Sequence, residues 1–425
     1  MQKFIDNLKN KNFLCLWLAQ IISQFGDRIN QMALIGLIAS RTPGSAWGLA
    51  KLLSFTIIPV FIVGPVAGVY VDRWEKKNIL IVCDFLRGLL VLTIPFVFMK
   101  QDSMIPIYAV VFLTFCLSRF YVPAKMSIIP DLVGEKDLVV ANSLVSLTGM
   151  IAFVLGCAGG GFLVEKIGSA GGFIWDGITF FISGILVLFI SPRIKLHVDT
   201  KKIMTTGKEM ITVFRKSVGE EIQEGISYLI HHRDIRFIVN TLFILFAASG
   251  AIYVVIILFI QKSFHSVTQD LGVLAVFLGI GLFIGALLYG RWGEKASQFK
   301  TIFVCLILGG VMLILFSLVV QRTQNLFLAG ILSFMLGLIV GPIIIAANTV
   351  IHQVSDDRMR GKVFSGMEVV IHFAFLSAML LSSLLSEHLD RFWILVGVGG
   401  IFSVVGCVGL LKCRTTFEDQ RRISS

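Results

Sequence analysis

Residues 68–77 read Gly68-Val-Tyr-Val-Asp72-Arg73-Trp74-Glu75-Lys76-Lys77, and residues 290–295 read Gly290-Arg291-Trp292-Gly293-Glu294-Lys295. Each closes a long apolar run with a short basic connection. Two further stretches correspond in the same order. Pro130-Asp131-Leu132-Val133, then Ala141-Asn142-Ser143, follows the fourth apolar run. His352-Gln353-Val354-Ser355-Asp356-Asp357, then Gly361-Lys362-Val363-Phe364-Ser365, follows the tenth. Matched pairs in matched order argue for a duplicated unit, the organisation of transporters whose two halves rock around a central site.

The runs between these markers set the fold class. The chain has 425 residues, 56% of them hydrophobic and 15% charged, with a mean hydropathy of +0.88. A soluble core of this size does not need that much apolar surface. Stretches of about 20 apolar residues span roughly 30 Å of hydrocarbon. Such stretches recur at 13–39, 49–71, 78–99, 104–123, 142–165, 171–191, 237–261, 271–289, 300–320, 326–348, 363–386 and 392–411. The reading is a multi-pass helical membrane protein of the cell (inner, cytoplasmic) membrane. Its 40 glycines suit helices that must approach closely without a hydrophobic effect between them.

Charge gives the orientation. With alternating connections, one side collects 27 Lys and Arg, Lys125 and Lys136 among them, and the other 7. Basic residues stay inside, so both termini are expected in the cytoplasm. The net charge of +11 then needs no nucleic-acid partner. The longest connection divides the chain into an N-terminal half, 1–191, a cytoplasmic linker, 192–236, and a C-terminal half with a short tail, 237–425. Ile222, Ile226, Leu229 and Ile230 fall at helical spacing in the linker and predict an amphipathic surface helix. Lys3, Lys9 and Lys11 precede a first run too long and too polar for a signal peptide, so that run reads as an uncleaved span. The seven cysteines lack a C-x-x-C pair and read as small buried hydrophobes.

That first span carries the most chemistry. Gln20, Gln24, Asp27 and Gln31 are spaced by four, three and four residues, one face of a helix. Asp27 lies near mid-span, where an ionised acid costs at least about 2.5–3.5 kcal/mol and normally faces a cavity or the bundle interior. The stripe reads either as the wall of a pathway or as an Asp27–Arg28 pair tied into helix contacts. In the third run Asp84 and Arg87 stand three apart and read as a local structural pair. Asp176 follows Trp175 near the outer end of the sixth run. Glu368 and His372 lie one turn apart in the eleventh and read as partners of an ion pair across helices. His231-His232 is a surface pair on the linker.

The stretch from Gly68 to Lys77 closely resembles the G-x-x-x-D-R-x-x-R-R loop of the major facilitator superfamily. In that family the loop latches the two halves on the cytoplasmic side. The resemblance gives that role to Gly68, Asp72, Arg73, Lys76 and Lys77, and a weaker one to Arg291, since Gly290 replaces the acid in the second copy. Several further stretches are similar to the branch that contains macrolide efflux proteins and enterobactin-type siderophore exporters. They are Arg119-Phe-Tyr-Val-Pro123-Ala124-Lys125, Ile129-Pro130-Asp131-Leu132-Val133, Glu221-Ile-Gln-Glu224-Gly225-Ile-Ser-Tyr228-Leu229 and Arg360-Gly361-Lys362-Val363-Phe364-Ser365. Lysophospholipid transporters share Phe25-Gly26-Asp27 and Pro123-Ala124-Lys125. Gly156-Cys157-Ala158-Gly159-Gly160-Gly161 resembles the antiporter pattern G-P-x-x-G-G with Cys157 in place of the proline. Its Gly156, Gly160 and Gly161 would allow tight packing against a neighbouring half. Arg119 matches the place of an intramembrane arginine that the family associates with coupling; it reads equally as a charge snorkelling to the interface.

The resemblance implies an all-α membrane protein with twelve transmembrane helices in two six-helix halves, the major facilitator fold, working as a monomer among membrane lipids. No G-x-x-x-x-G-K-[ST] loop for ATP is present. Neither is an H-E-x-x-H metal cluster or a nucleophile–base set, so an enzyme, a metal site and a cofactor are not expected. The expected function is export of an amphipathic or hydrophobic small molecule, of drug or siderophore type, by proton antiport and alternating access. Asp27 and Arg119 would couple protons, with Gln20, Gln24, Arg28 and Gln31 lining the substrate cavity. The alternatives are a lysophospholipid transporter or flippase and, in another class, a membrane receptor or scaffold that moves nothing.

Overall fold

In hydrocarbon the backbone must satisfy its own N–H and C=O groups, which a helix does within one segment. The computed structural model of the chain is accordingly helical, with no strand among the described residues, which are 8–134, 137–191, 233–293, 297–354 and 360–423. The linker helix, His231-His232, Glu294, Lys295 and Asp356-Asp357 lie outside them, as do the side chains of Asp72 and of residues 360–365 and 412–423.

The helices are α1 (Lys11–Arg41), α2 (Ala46–Ile62), α3 (Gly64–Arg73), α4 (Lys76–Thr93), α5 (Ile105–Leu132), α6 (Leu138–Leu188), α7 (Arg233–Phe264), α8 (Gln269–Trp292), α9 (Gln298–Thr323), α10 (Leu326–Val354), α11 (Arg360–Leu385) and α12 (Arg391–Ile423). Nine helices among the described residues are long and apolar enough to cross a membrane. The 31-residue α1 is long enough, but its polar stripe keeps it outside that set.

Proline and glycine set the interruptions. α3 restarts after Val63 with Pro65 in its first turn, where the missing N–H is no loss. Pro95 lies in the wider turn Ile94–Phe98 that ends α4, closed by Met99 N–H to the Ile94 carbonyl at 2.8 Å. At 51 residues α6 would measure about 77 Å, far more than one crossing. Gly168 divides it, with φ 72° and ψ 173°, a conformation open to glycine.

The chain forms two compact units. One comprises Met1–Leu37 and Leu52–Ile226, the other Ile38–Lys51 and Ser227–Ser425. The turn between α1 and α2 therefore groups with the second unit. There the Arg391 guanidinium donates to the Gly44 carbonyl at 2.6 Å.

In the first unit Phe13, Leu16 and Ala19 of α1 pack with Leu80 of α4, Ile129 of α5 and Val187 of α6. Asn10 caps α1 by accepting from the Asn12 N–H at 3.1 Å and donates its amide to the Leu132 carbonyl at 2.7 Å. In the second unit Gly281 and Gly285 of α8 meet the backbone of α10, while Gly337 and Gly341 of α10 meet that of α8. Small residues at four-residue spacing let these helices touch main chain to main chain.

Candidate functional site

Adjacent residues on a helix point about 100° apart, and α1 uses this to separate Asp27 from Arg28. Arg28 donates to the Gln31 Oε1 at 3.0 Å, and its guanidinium lies 5.0 Å from the centre of the Phe153 ring. The alternative of an Asp27–Arg28 pair is thus not what Arg28 does. Asp27, half-buried, instead lies within electrostatic range of Asp84, Arg87, Tyr121, Lys125 and Asp176.

The other polar residues of α1 face α6. Gln20 is buried and donates its amide to the Val145 carbonyl at 3.2 Å. Gln24 lies over Gly149, where an added Cβ would come within 3.2 Å of its Oε1. A Cβ on Gly156 would sit 2.8 Å from the Arg28 Cβ, and one on Gly160 would sit 3.0 Å from the Ile29 Cα. These glycines bring α6 onto α1 of the same unit. Gly161 is buried beside them, and Cys157, in the proline's place, is buried too.

Two buried carboxyls flank Asp27. Asp84 pairs with Arg87, as their three-residue spacing predicts, and its second oxygen accepts from the Ser183 hydroxyl at 2.7 Å. Arg87 is further enclosed by the rings of Tyr121 and Phe180, at 4.2 and 4.3 Å. Asp176 is wholly buried rather than near a surface. Its Oδ2 accepts from the Asn30 amide, and its Oδ1 has no hydrogen-bond partner.

Lys125 is the residue that the sequence misplaces. The fourth apolar run reads as ending at 123, with Lys125 in the connection after it, yet α5 continues through Pro123 and Pro130 to Leu132, and Lys125 is 7% exposed. Proline removes one donor without forcing a stop where its neighbours support the helix. Lys125 is therefore an interior cation and not a loop charge. Arg119, half-buried, lies one turn before Pro123 beside Cys116.

At the other end of α4, Lys76 donates to Asp131 Oδ2 at 2.8 Å and to the Ser127 carbonyl at 3.0 Å. Lys77 reaches the Leu188 carbonyl at 2.9 Å. Arg73 is exposed, and the Trp74 ring stacks with Phe120 at 6.4 Å. An added Cβ on Gly68 meets nothing within 4 Å among the described residues. Asp131 is the partner of Lys76 that the loop pattern alone does not name; its signal was the Pro130-Asp131 stretch. In the second unit Arg291 is exposed near the end of α8, and His372 Nδ1 faces the Glu368 carbonyl at 2.8 Å rather than a carboxylate. The described residues contain no cluster of three or more His, Cys, Asp or Glu that could hold a metal.

The sequence and fold agree with those of known transporters. The family model described as "Transmembrane secretion effector" matches residues 4–355. The MFS-type transporter YkuC of Bacillus subtilis is 25% identical over 372 residues, 86% of this chain and 83% of that protein. Macrolide efflux protein A of Streptococcus pyogenes is 25% identical over 413 residues, 93% and 94% of the two chains. Among solved structures, a bacterial homologue of the iron transporter ferroportin, in an inward-facing state, superposes with a TM-score of 0.66 at 14% identity, covering 93% of this chain and 98% of that one. A bacterial homologue of the human lysosomal transporter Spinster does so at 0.62 and 13% identity, with 94% of each covered. A family match over most of the chain, on a fold shared with these structures, places this protein in the transmembrane secretion effector family of the major facilitator superfamily of membrane transporters.

Proposed function

We propose that this chain exports an amphipathic or hydrophobic small molecule of drug or siderophore type from the cytoplasm, by alternating access coupled to inward movement of protons. It acts as a monomer in the cell membrane with both termini in the cytoplasm. The observation that carries this reading is Asp27. It is a half-buried carboxyl on the polar helix of the first unit, within electrostatic range of Lys125, Arg87, Asp84 and Asp176, while Arg28 bonds Gln31. A carboxyl at that depth loses its desolvation penalty on taking a proton, so proton occupancy favours one arrangement of the surrounding helices over another. Arg28, Gln24 and Gln31 supply polar groups beside it, and Arg119 completes the coupling set. The family match and the length shared with macrolide efflux protein A support the outward direction and the substrate class. The loop that carries Asp72, Arg73, Lys76 and Lys77 would serve as the cytoplasmic latch, as its likeness to the family's loop suggests; the Lys76–Asp131 bond holds it against α5 within the first unit.

The test is transport in proteoliposomes under an imposed pH gradient, with wild type and Asp27→Asn, using a hydrophobic cation dye, a macrolide, a catecholate siderophore and a lysophospholipid. Gradient-driven movement of one of the first three, reduced at least tenfold in the variant, is the expected result. Movement of lysophospholipid that ignores both the gradient and the substitution replaces this reading with the lipid-transporter one. No movement of any compound, with binding retained, favours a receptor or scaffold.

A further inference from the structure

We propose that Asp176, bonded to Asn30, is a second proton-binding carboxyl of this transporter, separate from Asp27, and that it holds its proton while α1 is packed on α6 and releases it when they part.

The geometry of one helix crossing supports this. Asp176 has no exposed surface. Its Oδ2 accepts from the Asn30 amide of α1, a neutral donor. Its Oδ1 is buried without a partner. The nearby Thr179 hydroxyl donates to the Asp176 main-chain carbonyl at 2.7 Å. The groups within electrostatic range are Asp27 of α1, which repels an anion, and Arg87 of α4, which is paired with Asp84. A carboxylate here would be a buried charge with one amide bond, the Thr179 hydroxyl beside it and a like charge facing it, and no cation of its own, a combination that costs several kcal/mol. The neutral acid removes the charge and keeps the bond from Asn30.

Gly26 makes the site depend on conformation. It has no side chain, and a Cβ there would collide with the Thr179 hydroxyl and come within 2.7 Å of Asp176 Oδ1. The backbone of α1 therefore covers the unpartnered oxygen, one residue before Asp27. Parting the helices admits water to that oxygen, and the acid ionises. The proton passes to that water: one O–H bond breaks at Asp176 and one forms on the acceptor. Closing the helices requires a proton to return.

The role in the cycle rests on the antiport reading above; proton binding at Asp176 does not. The first measurement is therefore the infrared spectrum of the purified full chain in detergent, titrated in pH, for wild type, Asp176→Asn and Asp27→Asn. Loss in Asp176→Asn of one protonated-carboxyl C=O band, which Asp27→Asn retains, is expected. An unchanged protonated-carboxyl region in Asp176→Asn overturns the proposal. Asn30→Ala keeps the carboxyl and should shift that band without removing it, which separates a lost proton from a misfolded variant. In proteoliposomes Asp176→Asn should retain downhill substrate movement but lose at least half of the gradient-driven component and flatten its pH profile. Gradient drive and pH profile equal to wild type overturn the part in the cycle. Indifference of the wild type itself to the gradient overturns the antiport reading, and the infrared band then decides Asp176 alone.

Discussion

Two carboxyls in the first unit are equally buried and differently answered. Asp84 meets a guanidinium, a hydroxyl and, through Arg87, two aromatic rings. Asp176 meets one amide, the Thr179 hydroxyl and the bare backbone of Gly26, and no cation of its own. A buried pair whose polar atoms are all satisfied fixes one arrangement of helices, because every alternative exposes an unpaired charge to a low dielectric. A carboxyl left half satisfied has an alternative, which is to change its protonation state. The first pattern belongs to architecture and the second to a switch, and they stand within one field with Asp27 acting on both.

The contrast is broken most severely by Asp84→Ala. It leaves Arg87 buried without its counter-charge and should cost about 3–5 kcal/mol, measured as a large drop in thermal unfolding temperature and in the yield of monodisperse protein in detergent. Gly26→Leu attacks the other crossing by steric means. It should cost about 1–3 kcal/mol, the usual penalty of overpacking, and abolish gradient-driven transport even where folded protein is recovered. Asp176→Asn sharpens the comparison: its unfolding temperature should stay near that of wild type, a change of about 1 kcal/mol or less, while the gradient-driven component falls. Equal destabilisation by Asp84→Ala and Asp176→Asn would show that the two sites do not differ in kind. Lys76→Ala breaks a partly exposed ion pair, with side chains 30% and 21% exposed. It should change stability by about 0–1 kcal/mol, and its effect on transport rate should shrink as salt is raised.

Much of this was legible in the sequence. Fold class, the two-part organisation and the polar stripe of α1 follow from run length, charge asymmetry and spacing, which are local properties. The Asp84–Arg87 pair was legible for the same reason, since residues three apart on a helix are neighbours. Lys125 was misread because the apolar run by itself ends at 123, while α5 continues through Pro123 and Pro130 to Leu132.

The rest required the helices to be placed. Asn30 and Asp176 lie 146 positions apart, and no periodicity within either helix relates them. Gln20 on the polar stripe turns out to bond the backbone of α6, and the glycines of α6 turn out to receive α1. By itself the sequence determined that this is a helical membrane protein with an acid on the polar stripe of its first long run, because hydrophobic length and residue spacing act along the chain. Only the tertiary structure decided which acids are answered by a cation and which by an amide, because that depends on the crossing of helices distant in sequence.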